Sequence, residues 1–461
     1  MSYQTSTEGN NAPEFVPIDY ISQDQLITIE EITREFDLKT ERLIEISNHF
    51  MRELNKGLEK YGQTLAMVPS FVTGRPTGQE TGTFLSLDLG GTNLRICQVD
   101  FQGNGVITIK QEKYLVSEAQ KVGESHILFD FIANCVLKFL VEIGYQHEKE
   151  KEKVNLGFTF SFPVAQTAID KGTLLKWTKG FVCPDAVGKD VVSMLQESLD
   201  RLSVPVKVVA LVNDTVGTLL SHSYKYPNTL LGVILGTGTN SAFFERLSNI
   251  KKLNISSDAT EEMIVNIEWG AFDDEKDVLP LTKYDEKLDL ESHNPTYQIF
   301  EKMISGMYLG EIVRNTLLHL IDRSLLFNGI SSPELNKHYI FETKYMTVIE
   351  VDTTPTLEDT RKILEETMNI PSVTLTDRQI VKRICRLVGR RAARLSSLGL
   401  AGVIKHCGAV EGGCGIGIDG SLFEFYPNFK ENIRAALREI LGDNVDNIEI
   451  QLAKDGSGVG S

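Results

Sequence analysis

Apolar positions along this chain switch repeatedly between helical and strand periods. From Ile21 to about Tyr61 they recur at helical spacing, at Leu26, Ile29, Ile32, then Leu43, Ile46, Phe50, Leu54 and Leu58. The pattern predicts two helices parted near Asp37–Thr40, after a loose arm over residues 1–20. Val68 to Gly78 is rich in Pro and Gly and reads as a linker. Thr83–Leu89 and Leu94–Val99 read as strands around a tight turn, Gly90-Gly91-Thr92-Asn93, with a third strand over 106–116. A helix over 125–144, a charged loop from Glu148 to Lys153, a strand Val154–Phe160, a helix over 189–202 and a strand Pro205–Val212 follow. Asn213-Asp214-Thr215 ends that strand and can cap the next helix. Leu230–Leu235 and Ser241–Glu245 read as strands around a second glycine turn. The pattern then predicts a long helix from about Thr296 to Leu326, helices over 356–368, 376–397 and 428–441, and strands over 415–418 and 447–453.

One feature of this pattern repeats. Leu87-Asp88-Leu89-Gly90-Gly91-Thr92-Asn93 echoes Ile234-Leu235-Gly236-Thr237-Gly238-Thr239-Asn240. Each is an apolar strand running into a Gly/Thr turn that ends in Asn. Two such hairpins in two halves predict a duplicated architecture, two α/β domains with both turns facing one cleft.

Composition narrows what the cleft holds. With 47 basic and 63 acidic residues the net charge is −16, which argues against nucleic acid as a partner, since that needs a basic face. A nucleotide can still bind through backbone N–H groups and a metal. The first twenty residues lack a basic start and an apolar run, and no stretch is apolar for long enough to span a bilayer. A cytoplasmic protein without membrane insertion is expected. The six cysteines are scattered without a CxxC pair, which reads as free thiols in a reducing compartment. His406-Cys407 and Cys414 together do not supply four ligands, so a structural zinc is not expected there.

The glycine turns let backbone N–H groups approach phosphate oxygens, and Arg95 can add charge. Neither turn fits GxGxxG or GxxxxGK[ST], so dinucleotide-binding and P-loop readings fall. Phosphoryl transfer to an alcohol needs a grip on the phosphates, a Mg²⁺ and a carboxylate to deprotonate the hydroxyl. Asp88, at the edge of the first turn, suits a Mg²⁺-bound water, and Asp214 suits the base. Local sequence alone leaves Asp214 equally readable as a plain helix cap. Sugar hydroxyls need polar groups at the ends of apolar elements, and Ser161, Thr178, Lys179, Asn240, Glu268 and Glu301 stand there.

At this point the chain resembles the eukaryotic hexokinase family, and within it the fungal hexokinases and glucokinases. The matching stretches are LDLGGTNLR (87–95), LGFTFSFP (156–163), WTKGF (177–181), NDTVGTL (213–219), LGTGTN (235–240), IEWGAFD (267–273) and DGSGVG (455–460). The resemblance implies the duplicated actin-like (ribonuclease H-like) α/β ATPase fold. Residues 1–71 would be an arm and helices of a large domain, 72–213 a small domain, and 214–461 the rest of the large domain. It implies ATP-dependent phosphorylation of a hexose, glucose first, at the 6-hydroxyl, by a monomer or homodimer using ATP and Mg²⁺. Asp214 would be the base, with Mg²⁺ held through water near Asp88 and Asp214 rather than directly. Ser161, Thr178, Lys179, Asn213, Asp214, Asn240, Glu268 and Glu301 would hold the sugar. Asp88, Gly90, Gly91, Thr92, Asn93, Arg95, Thr215, Gly236, Thr237, Gly238, Gly420, Ser421, Gly456 and Ser457 would surround the nucleotide. Glucose would close the cleft and exclude water.

In the family the DGSGxG run leads into a further helix on the nucleotide side, whereas this sequence stops at Ser461. A truncated sequence is expected rather than a natural end, and full activity of the 461-residue chain is an open question for assay. Two other classes compete with the enzyme reading: a sugar sensor that kept the fold, and an actin-like or chaperone ATPase. Within the family, an N-acetylglucosamine kinase is the alternative to a glucose kinase.

Overall fold

The computed structural model describes residues 18–91, 93–145, 153–178, 180–255, 261–454 and 456–460. Its strands are β1 (Val68–Thr73), β2 (Thr81–Leu89), β3 (Asn93–Gln102), β4 (Ile107–Leu115), β5 (Val154–Phe160), β6 (Val164–Ala168), β7 (Lys171–Leu174), β8 (Val206–Val212), β9 (Thr229–Leu235), β10 (Thr239–Arg246), β11 (Glu262–Asn266), β12 (Cys414–Asp419) and β13 (Ile448–Leu452). By compactness the chain divides into two units. One combines the residues up to Asp37 with Gly310–Gly389, and the other combines Leu38–Leu309 with Arg390–Ser461. The described part of the first is helical and holds a buried Glu311–Arg314 ion pair. The second contains all the strands.

The duplication is written in the sheets. One runs β4-β3-β2-β5-β8 and the other β1-β11-β10-β9-β12-β13. In the first, β4, β3 and β2 are antiparallel neighbours, and β2, β5 and β8 are parallel. In the second, β11, β10 and β9 are antiparallel, and β9, β12 and β13 are parallel. The same five-strand pattern thus occurs twice, with β1 added to the edge of the second copy. The central strands are buried, as strands covered on both faces must be (β9 is Leu/Val/Ile almost throughout).

Three sequence expectations need correction. The Pro/Gly stretch read as a linker contains β1, whose pairing with β11 is irregular between Pro69 and Thr73. An edge strand accepts a proline because one side of its backbone has no ladder to fill. The strands β6, β7 and β11 went unrecognised. The long helix expected over 296–326 is two helices, Ile299–Ile304 and Leu309–Asp322, separated by a non-helical segment. The expected loop from Glu148 to Lys153 lies almost wholly outside the described residues.

The helix Asp214–Lys225 joins the two sheets. It follows β8 of the first sheet and lies on β9 and β12 of the second. The approach is close enough that a Cβ on Gly232 would come within 2.5 Å of the Leu219 backbone, and one on Gly417 within 2.6 Å of the His222 ring. His222 is 4% exposed, with Nδ1 2.7 Å from Thr229 Oγ1 and Nε2 3.3 Å from Gln451 Oε1. Burial pushes its pKa down to about 4. A depressed histidine pKa stabilises the fold fully above the unfolded value near 6.5, and that contribution is lost as pH falls towards 4. Between pH 7 and 4.5 the loss from this one group is expected to be on the order of 2–3 kcal/mol. Urea unfolding at those two pH values, compared between the wild type and His222→Gln, checks it. The variant is expected to lose less stability over the interval, and equal losses would exclude His222 as the source.

Candidate active site

Asp88, Ser161 and Asp214 are brought to one edge by strand pairing alone. Parallel register sets Asp88 of β2 beside Thr159 of β5, and Thr159 beside Val212 of β8. Ser161 and Asn213 therefore follow the carboxyl ends of neighbouring parallel strands, the edge at which open α/β sheets bind ligands. Aromatic packing fastens the loop that bears Thr178 to the same edge. Trp177 stacks on Phe181 at 5.4 Å, meets Phe162 at 5.0 Å and donates its indole N–H to Cys183 O at 2.7 Å. Lys179 and Thr92 lie outside the described residues, as does the side chain of Ser457.

The two readings of Asp214 separate at this point. Asn213 is the N-cap, its Oδ1 accepting from Thr215 N–H at 3.0 Å and from Thr215 Oγ1 at 2.7 Å. Asp214 is the first helical residue, half-buried, with Oδ1 2.9 Å from the same Thr215 N–H. The cap role is thus already filled by its neighbour.

The second sheet contributes a polar cluster. Asn240 Nδ2 donates to Glu268 Oε1 at 2.9 Å and to Asn266 Oδ1 at 2.9 Å. Asn266 Nδ2 donates to the same Glu268 oxygen at 2.7 Å, and Glu268 N–H donates to Asn240 Oδ1 at 3.1 Å. Glu268 is held in the left-handed region, at φ 58° and ψ 48°. That conformation is uncommon for a residue with a side chain, and over-determined sites of this kind concentrate at functional positions. Asn266 was not anticipated from sequence. Its signal was a lone amide in the apolar run Met263-Ile264-Val265-Asn266-Ile267, two residues before Glu268.

Glu268, Asn266 and Asn213 line one cavity of about 280 Å³, close to the lower limit of about 300 Å³ for small-molecule pockets. Its walls include Ser70, Phe160, Phe162, Gln166, Val216 and Gln298. Lys176 and Tyr297 also line it, the ammonium 3.7 Å from the ring centroid. Neither was anticipated.

Glu301 stands on the Ile299–Ile304 helix, its Oε2 accepting from Thr239 N–H at 3.0 Å. That helix is pinned at both ends. Ile299 N–H donates to Asp274 Oδ1 at 2.9 Å, and the buried Lys302 ammonium lies 2.7 Å from Asp289 Oδ1. Burial pushes the Asp274 carboxyl up to about 6.

The two glycine turns close as expected, Gly90 N–H reaching Asn93 O and Gly236 N–H reaching Gly238 O, both at 3.0 Å. The Gly91 backbone lies within the first. Gly420 and Ser421 lie against the second, the position of a Gly236 Cβ being 3.6 Å from Gly420 Cα. Arg95 packs beside Gly458 in the short Gly456–Val459 helix, and Gly456 lies against Thr218. The strands that flank the first turn and residues 456–460 thus meet beside the helix that begins at Asp214.

Two family models, both described as Hexokinase, match residues 28–224 and 230–461. The chain belongs to the hexokinase family. It is 41% identical to a glucokinase of Aspergillus niger over 467 residues, covering 93% of this chain and 94% of that one. It is also 41% identical to Hexokinase-1 of Saccharomyces cerevisiae, covering 94% and 90%. A hexokinase from Schistosoma mansoni, solved in complex with glucose, matches with a TM-score of 0.87 at 36% identity, over 95% of this chain and 98% of that chain. The chain is therefore a hexokinase-family sugar kinase with the duplicated actin-like fold. The boundary between the two family models falls just beyond the Asp214–Lys225 helix that links the sheets. Among the described residues no helix is long and apolar enough to cross a membrane.

Proposed function

We propose that this protein transfers the terminal phosphoryl group of ATP to the 6-hydroxyl of glucose, with Asp214 as the base. The observation that carries the reading is the Asn240–Asn266–Glu268 cluster. Its Asn266 and Glu268 line a cavity with Asn213, and Asn240 follows Thr239, whose N–H is held by Glu301 in the second glycine turn. A sugar needs such a rim, because each hydroxyl removed from water needs a partner. Ser161, Thr178, Lys179, Asn213, Asn240, Glu268 and Glu301 bind and orient the hexose in this reading. Asp214 takes the proton as the hydroxyl attacks the phosphorus and the bond to the departing phosphate oxygen breaks, leaving ADP.

The turns fit the phosphate groups. Among the described residues, the amides of Thr237 and Gly238 have no acceptor within the chain, and both lie at least partly exposed. Mg²⁺, when bound with ATP, offsets charge on the phosphates, and Asp88 and Asp214 would hold it through water. Residues 72–213, which carry the five-stranded sheet, act as the small domain that closes over the sugar.

The test is a panel of ATP-coupled rates on glucose, fructose, mannose and N-acetylglucosamine. Glucose is expected to give the highest kcat/KM with a stoichiometric yield of the 6-phosphate. A preference for N-acetylglucosamine would overturn the substrate assignment, and tight glucose binding without product would favour a sensor.

A further inference from the structure

The break in the helix expected over 296–326 has a consequence for the second glycine turn. Between Ile299–Ile304 and Leu309–Asp322 the backbone leaves the helical path, and two of its amides turn to the turn residues instead. Gly306 N–H donates to Gly236 O at 2.8 Å, and Met307 N–H donates to Thr237 O at 3.0 Å.

Those two bonds determine where the turn's own amides point. In a trans peptide the C=O and N–H of one plane point in opposite directions. The C=O of Gly236 shares a plane with the N–H of Thr237, and the C=O of Thr237 shares one with the N–H of Gly238. Holding both carbonyls on the side of residues 306–307 therefore turns both amides to the opposite side. The remaining groups of the turn are occupied: Gly236 N–H bonds to Gly238 O, and Thr239 N–H bonds to Glu301 Oε2. Only the Thr237 and Gly238 amides are left without an acceptor among the described residues. Without the strap either peptide plane could rotate and present a carbonyl oxygen to an anion.

We propose that the Gly306–Met307 strap is a positioning element that presets the Thr237 and Gly238 amides for the nucleotide's phosphates, and that Gly306 is the residue it depends on. The proposal rests on the sugar-kinase reading above. Only glycine fits at 306, since a Cβ there would sit 2.8 Å from Gly236 O, a backbone atom that cannot step aside. The strap continues directly from the helix bearing Glu301. The Glu301 carboxylate and the strap thus hold the same turn, the one through Thr239 N–H and the other through the carbonyls of Gly236 and Thr237.

The experiment is Gly306→Ala, assayed at varied ATP and at varied glucose, with glucose affinity measured separately by calorimetry. The ATP KM is expected to rise about tenfold or more and kcat to fall, while the glucose Kd stays within about threefold. An ATP KM and kcat within twofold of wild type would overturn the proposal, as would an equal loss of glucose affinity. Per-amide hydrogen exchange on the wild type keeps the test open should the variant fail to fold. The Gly306 and Met307 amides are expected to be protected throughout, and those of Thr237 and Gly238 only when a non-hydrolysable ATP analogue is added. Fast exchange at 306 and 307, or no response at 237 and 238, would overturn it. Absence of sugar phosphorylation by the wild type would instead refute the functional reading, so the two failures are distinguishable.

Discussion

Asp214→Ala is expected to lower kcat by about 10²–10⁴-fold, the contribution typical of a positioned base, while glucose affinity changes little. The structure makes a second variant informative. Asp214 accepts from Thr215 N–H through Oδ1, and Asn213 accepts from the same group. Asn at 214 would keep that hydrogen bond and the shape of the first helical turn, but it cannot take a proton. A base therefore predicts that Asp214→Asn is as inactive as Asp214→Ala. A structural role predicts that asparagine restores most of the rate. Thermal unfolding separates the cases further, because the cap belongs to Asn213 and both variants should unfold within a few degrees of wild type. Near-normal kcat in either variant would remove Asp214 from the base role.

How much of this site could be read from sequence depended on whether a residue's role is local. The two glycine turns were legible because a Gly/Thr run between apolar strands limits the backbone to a tight hairpin. The helix cap at Asn213-Asp214 was legible as a feature, but which residue does the capping was not, since both side chains reach the same amide. The strap was invisible. Ile299, Phe300, Met303, Ile304, Tyr308, Leu309 and Ile312 keep near-helical spacing straight through the break. Periodicity reports which face is buried, and it cannot report that two amides have better acceptors in another hairpin. Strand β1 was hidden for the opposite reason. Pro69 and Gly74 read as a linker, yet at a sheet edge a proline is tolerated. Asn266 fell between these cases: a buried amide in an apolar strand is a signal, but only the fold shows that it meets Asn240 and Glu268.

Glu268→Ala should act in the opposite kinetic sense, on sugar binding rather than on turnover. Its Oε1 receives two amide donors, from Asn240 and from the buried Asn266, and it lines the cavity with Asn213. Removing the carboxylate takes away a charged hydrogen-bonding group, worth about 1.5–3 kcal/mol, and leaves the Asn266 amide without that acceptor. Glucose KM and Kd are expected to rise together by about 10- to 100-fold, with kcat at saturating sugar changed far less than in the Asp214 variants. Glu268→Gln sharpens the expectation. Its amide oxygen can take both asparagine donors, so the cluster persists while the charge facing the sugar is lost, and an intermediate KM should result. Because Glu268 occupies the left-handed region, alanine there also carries a backbone cost that glutamine carries too. The difference between the two variants therefore reports the hydrogen-bonded cluster, and the difference between glutamine and wild type reports the charge. An unchanged glucose KM in Glu268→Ala would place this cluster outside the sugar site and leave the cavity beside Asn213 without its recognition rim.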